Sequence, residues 1–70
     1  NPVHDLVTIE FDENTNATIL VLDVLGQLVF TSEVQNEMNV ILNLSHLTKG
    51  MYFVKLKTDI GNKSIKLIKD

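Results

Sequence analysis

Apolar and polar residues alternate with period two along most of this chain, the mark of strands that bury one face. Val7, Ile9 and Phe11 alternate with Thr8 and Glu10 and predict a first strand, followed by a polar loop at residues 12–16. Ile19 and Val21 alternate with Leu20 and Leu22, so the next strand is apolar on both faces. Such a strand belongs at the centre of a sheet or under a covering neighbour. Asp23-Val24-Leu25-Gly26 places Asp first and Gly fourth, the spacing of a type I turn closed by a left-handed residue. Residues 28–31 return as the partner strand, 33–37 predict a loop or ragged edge, and 38–44 form the next strand. After an arch at 45–50 comes the longest strand, 51–58. Thr58-Asp59-Ile60-Gly61 repeats the spacing of the first turn, and 64–69 close the sheet. There is no convincing helix, linker, repeat or low-complexity tract. Six strands are visible in 70 residues. They predict an all-β fold, a small antiparallel, immunoglobulin-like β-sandwich of six to seven strands.

The run from Leu42 to Leu56 is the most informative stretch. Tyr52 stands two residues after Gly50, and Leu47 five residues before Tyr52. That spacing suits a corner between sheets, with the ring packed inward and the hydroxyl returned to a backbone group near Thr48. Gly50 suits a chain entering a strand from an arch with positive φ. An ordinary core Tyr after an ordinary turn Gly accounts for the same residues equally well.

A domain of 70 residues is single and buries roughly 60–65% of its unfolded surface, so its stability is expected to be modest. With no Cys there is neither a disulfide framework nor a thiolate metal site. The chain has no initiating Met, no signal peptide and no apolar run long enough to cross a bilayer. A fragment of a larger protein is therefore expected, with any export signal upstream.

Charge is sharply divided. The first 48 residues hold seven acids and no base, while all six basic residues are Lys between Lys49 and Lys69. A docking surface for an acidic partner is one reading. The blander one sets Lys55 and Lys57 on a solvent face opposite acids of neighbouring strands, where Lys also guards an edge against aggregation. Nucleic acid is a poor partner for a chain of net charge −3 with no Arg.

Catalytic chemistry is missing from the pattern. His4 and His46 stand alone and read as loop residues rather than ligands, because metal sites need converging donors. Asp12, Asn14 and Asn16 match the opening of a calcium loop, but Ala17 stands where that loop needs Gly and Asp23 where it uses Glu. A polar hairpin loop is the better reading. Asn16-Ala17-Thr18, Asn43-Leu44-Ser45 and Asn62-Lys63-Ser64 fit the N-glycosylation pattern, which arises easily by chance. Ser45 and His46, adjacent on an extended chain, point to opposite faces and cannot act as nucleophile and base. No metal, cofactor or catalytic residue is expected, and the chain reads as a non-enzyme.

Several segments, taken in order, resemble a known family. They are Asn1-Pro2-Val3, residues 6–9, Val21-Leu22-Asp23-Val24-Leu25-Gly26-Gln27-Leu28-Val29, Leu44-Ser45-His46-Leu47-Thr48-Lys49-Gly50-Met51-Tyr52-Phe53-Val54-Lys55, and Lys66-Leu67-Ile68-Lys69. Together they look like the C-terminal sorting domain of the type IX secretion system of Bacteroidetes-type bacteria. Asp70 departs slightly, following a Lys at or near which many members end. The resemblance marks Asn1, Pro2, Asp23, Gly26, Leu47, Gly50, Tyr52 and Gly61 as motif and structural positions. It implies a domain that folds in the periplasm, is recognised by an outer-membrane translocon and carries upstream cargo across. A surface sortase then cuts upstream of Asn1, and the cargo is released or joined to lipopolysaccharide. Lys63, Lys66 and Lys69 are the cations expected to face the translocon. A binding or adhesion module, for protein or carbohydrate, is the rival reading, with a structural spacer third. Leu20 and Leu22 leave room for a weak dimer if nothing covers them.

Overall fold

The computed structural model describes residues 2–3 and 5–70. The strands are β1 (Pro2–Val3), β2 (Leu6–Leu22), β3 (Leu28–Asn43), β4 (Gly50–Thr58) and β5 (Gly61–Lys69), with no helix among the described residues. All lie in one sheet of order β1-β5-β4-β2-β3. The four long strands are antiparallel, and β1 pairs parallel with the end of β5, Pro2 opposite Ile68 and Val3 opposite Lys69. The doubly apolar segment of β2 sits between β3 and β4, where its Leu20 and Leu22 are half-buried.

The fold is thus all-β and antiparallel, but it has four long strands where six to seven were expected. Two expected loops run through as strand. Segments 6–10 and 15–22 belong to β2, and their partners, 39–43 and 28–37, belong to β3. The polar residues between them are accommodated by register shifts, one between the Glu10 and Thr15 pairs and one between the Thr15 and Ala17 pairs. Such bulges bend a strand without ending it. Asn16 Oδ1 accepts from Asn36 N at 2.8 Å, and Asn36 takes φ 53, a left-handed conformation that Asn tolerates. The hairpin therefore stays closed across its polar middle.

Seventeen residues of straight strand would span about 55 Å. The longest extent of the molecule is 31 Å, so the β2–β3 hairpin must bend. Ile9 and Leu42 from its outer half, with Leu44, share one buried cluster with Ile19, Val21, Val34, Tyr52, Val54, Leu56 and Leu67. Ile19, Val21, Leu42 and Leu44 are essentially without solvent contact. At roughly 1.5–3 kcal/mol for each fully buried aliphatic side chain, this cluster is the main stabilising term of so small a domain.

The turns follow the residues that make them. At residues 23–27, Gly26 N donates to Asp23 O at 3.0 Å, Asp23 N donates to Gln27 O at 2.9 Å, and Gly26 has φ 84. One oxygen of Asp23 accepts from both Leu25 N and Gln27 N at 2.9 Å, which fixes the Asp at the first position. At the β4–β5 turn, Thr58 pairs with Gly61 and its hydroxyl donates to Gly61 O at 2.9 Å.

Candidate recognition surface

The arch between β3 and β4 is built on Tyr52. Its ring is buried, and its hydroxyl donates to Thr48 O at 2.7 Å, with Thr48 Oγ1 a further 3.3 Å neighbour. Leu47 packs against the core and donates its N–H to Leu44 O at 3.0 Å. Asn43 Oδ1 accepts from Ser45 N at 3.0 Å and starts the arch. Gly50 ends it at φ 150, an angle that side chains rarely adopt. The hydroxyl bond to Thr48 is the one expected of a corner, but the arch joins two strands of a single sheet and not two sheets. That bond locks the start of β4 to the arch through one side chain.

Beside this arch the two ends of the chain meet, Lys69 standing opposite Gly50. β1 pairs with the last residues of β5, and Leu44 N donates to Asp5 O at 2.6 Å. Lys69, only 7% exposed, reaches Asp5 Oδ1 at 3.5 Å, the one ion pair among the described residues. The aliphatic stem is covered while the ammonium meets a carboxylate that faces water. Lys69 is therefore a fastener between chain ends and not an exposed cation, contrary to expectation. Lys63 and Lys66 remain exposed, but they are separated by side-chain direction. Lys63 lies opposite Leu56, on the face that carries the core, and Lys66 lies opposite Phe53, on the other face. Three residues along a strand reverse the face, so the three lysines cannot form one patch.

The remaining candidates fall apart in space or are already engaged. Asn1 and His4 lie outside the described residues, and Pro2 is known here only through its backbone pairing. His46 is exposed, its ring 5.8 Å from that of Phe30. Asn16 and Asp23 spend their side-chain oxygens on backbone N–H groups, Asn16 across the hairpin and Asp23 within its turn. Among the described residues no three His, Cys, Asp or Glu side chains converge as metal donors would.

Lys55 and Lys57 do share one face of the C-terminal hairpin, with Phe53 and Lys66, but they stand opposite Leu20, Ser64, Thr18 and Asn62 and not opposite the acids expected there. Period-two alternation in 51–58 already assigns Lys55 and Lys57 to one side. Lys66 could be added only once the pairing of Phe53 with Lys66 was known.

No curated protein matches the chain. The family described as the secretion system C-terminal sorting domain matches it over residues 1–70, the whole length. Domains of this family are in general non-catalytic, and the family implies a secreted protein, delivered to the outer membrane or cell surface by the type IX secretion machinery. The chain belongs to the type IX secretion C-terminal sorting domain family.

Proposed function

We propose that this domain is the non-catalytic address at the C-terminus of a larger exported protein, that an outer-membrane translocon reads it, and that a surface sortase removes it by cutting upstream of Asn1. The observation that carries this reading is the family match over the full length. The pairing of β1 with β5 supports it geometrically. The chain arrives from any upstream cargo beside the last strand, so linker and C-terminal strand lie along one edge. In this reading the bend of the β2–β3 hairpin, which brings Ile9 and Leu42 into the shared core, folds the single sheet toward a small sandwich that the machinery meets folded. In this account the domain crosses the periplasm attached to its cargo, inserts in no membrane and binds no cofactor. Motif positions such as Gly26, Leu47, Gly50, Tyr52 and Gly61 act by holding its shape.

The test expresses the parent protein with and without residues 1–70 in a host that has the secretion system, and assays surface protein by protease accessibility in intact cells. The intact protein is expected at the surface and the truncated one in the periplasm. Equal delivery of both would refute the assignment.

A further inference from the structure

The side of the sheet away from the buried cluster combines exposed apolar residues with Lys55, Lys57 and Lys66, which form no ion pair among the described residues. In β2, Thr18, Leu20 and Leu22 alternate with the buried Ala17, Ile19 and Val21 and so point outward. Across the strands, Leu22 pairs with Phe53 and Phe53 with Lys66, Leu20 pairs with Lys55, Thr18 with Lys57, and Met51 with Ile68. Met51, Phe53 and Ile68 are 39%, 37% and 41% exposed, large values for apolar residues within a sheet. Lys55 is directly opposite Leu20 and Ser64, and Lys57 opposite Thr18 and Asn62, so no carboxylate stands in register with either. Glu33, beyond Thr18 in that row, accepts from the Thr18 hydroxyl at 3.1 Å and with Asp59 lines a depression beside Lys57, so Lys55 and Lys66 are the cations farthest from an acid in register. A shallow depression of about 390 Å³ lined by Lys55, Lys57, Asn62, Lys63 and Ser64 continues the basic end.

We propose that this outer face of β2, β4 and β5 is a docking surface for a protein partner that presents apolar side chains rimmed by carboxylates. Within the sorting function proposed above, on which this inference rests, that partner is a component of the translocation machinery. Charge complementarity selects it. The apolar strip supplies area to desolvate, and the cations beside it set encounter rate and register. A phosphate-bearing lipid surface fits less well, because attraction to an anionic bilayer scales with the number of cations and the chain as a whole carries net charge −3.

The experiment uses the full parent protein and the purified outer-membrane translocon of its host. Three variants are compared with wild type: Lys55→Gln with Lys66→Gln, Phe53→Thr, and a control, Asn14→Asp with Asn39→Asp. The control lowers net charge by the same amount at exposed positions of the bent hairpin. Melting temperatures close to wild type establish that each is folded. The lysine pair is expected to weaken binding by about 2- to 30-fold, mainly through slower association and most strongly at low salt. Phe53→Thr is expected to speed dissociation, and the control to stay within about twofold of wild type.

Equal effects of lysine variant and control would overturn the docking surface while wild-type binding and export left the sorting function standing. Failure of the wild-type protein to bind the translocon or to be exported would overturn both. Binding to vesicles of phosphatidylcholine and phosphatidylglycerol that is lost in the lysine variant, with translocon binding unchanged, would reassign the face to lipid. Self-association in sedimentation that is lost in both patch variants, again with translocon binding unchanged, would reassign it to a second copy. Either reassignment overturns the proposal.

Discussion

The two hairpins are built on opposite plans. β2–β3 is long, carries acids and no base, and needs three register irregularities to stay paired. β4–β5 is short and basic, and pairs in unbroken register from Gly50–Lys69 to Thr58–Gly61. The irregular hairpin can bend, and bending is what lets its outer half share the core of the inner half. The regular one cannot bend in the same way, so it holds its side chains at fixed spacings. One hairpin therefore makes the core and the other makes a surface with defined register.

If both hairpins depend on one core, a cut in that core should take them down together. Ile19 pairs with Ser32 of β3 and Leu56 of β4 and is fully buried, so Ile19→Ala is expected to cost about 2–5 kcal/mol. Thermal melts followed by circular dichroism should then show a single transition at much lower temperature. Two separate transitions would break the comparison, because the hairpins would be independent.

Gly50→Val probes the basic hairpin alone. A Cβ at Gly50 would meet nothing within 4 Å, so its cost arises from φ 150 and not from crowding. The expected loss is about 1–3 kcal/mol, read as a shifted denaturant midpoint. An unchanged midpoint would mean that the arch relaxes freely.

Tyr52→Phe keeps the ring and removes the bond to Thr48 O. About 0.5–1.5 kcal/mol should be lost. A smaller loss would say that packing, not the hydroxyl, holds the arch.

The smallest expected effect belongs to Asp5→Asn. Asp5 is largely exposed, so uncoupling it from Lys69 should cost no more than about 1 kcal/mol. Hydrogen exchange should nonetheless quicken at the β1–β5 edge and not along β2–β3. Uniform acceleration would argue against a local clasp.

Much of this was legible beforehand. The residues that make the 23–27 turn, the arch and the alternation of β4 are local, and local chemistry suffices to read them. The spacing of Tyr52 and Gly50 suits an arch bond and an ordinary turn equally, and the Tyr52–Thr48 bond decides between them. β2 and β3 do not divide into shorter strands, because polarity alone does not end pairing. Backbone ladders continue through polar residues when a bulge absorbs the mismatch, and here Asn16 and Asn36 bridge it. The ion pair of Lys69 was out of reach, since Asp5 lies at the other end of the chain, whereas parity with Leu67 already sets Lys69 on the core face. The separation of Lys66 from Lys63 was within reach, because strand parity already places residues three apart on opposite faces.

The central claim is that residues 1–70 suffice as an address. The most direct measurement grafts them onto the C-terminus of an unrelated periplasmic enzyme in a host with the secretion system and assays that enzyme on intact cells and in the medium. The account predicts that the enzyme leaves the periplasm, and that it stays behind when the Ile19→Ala core variant is grafted instead. Retention of the wild-type fusion in the periplasm, with the graft folded and intact, would contradict the account.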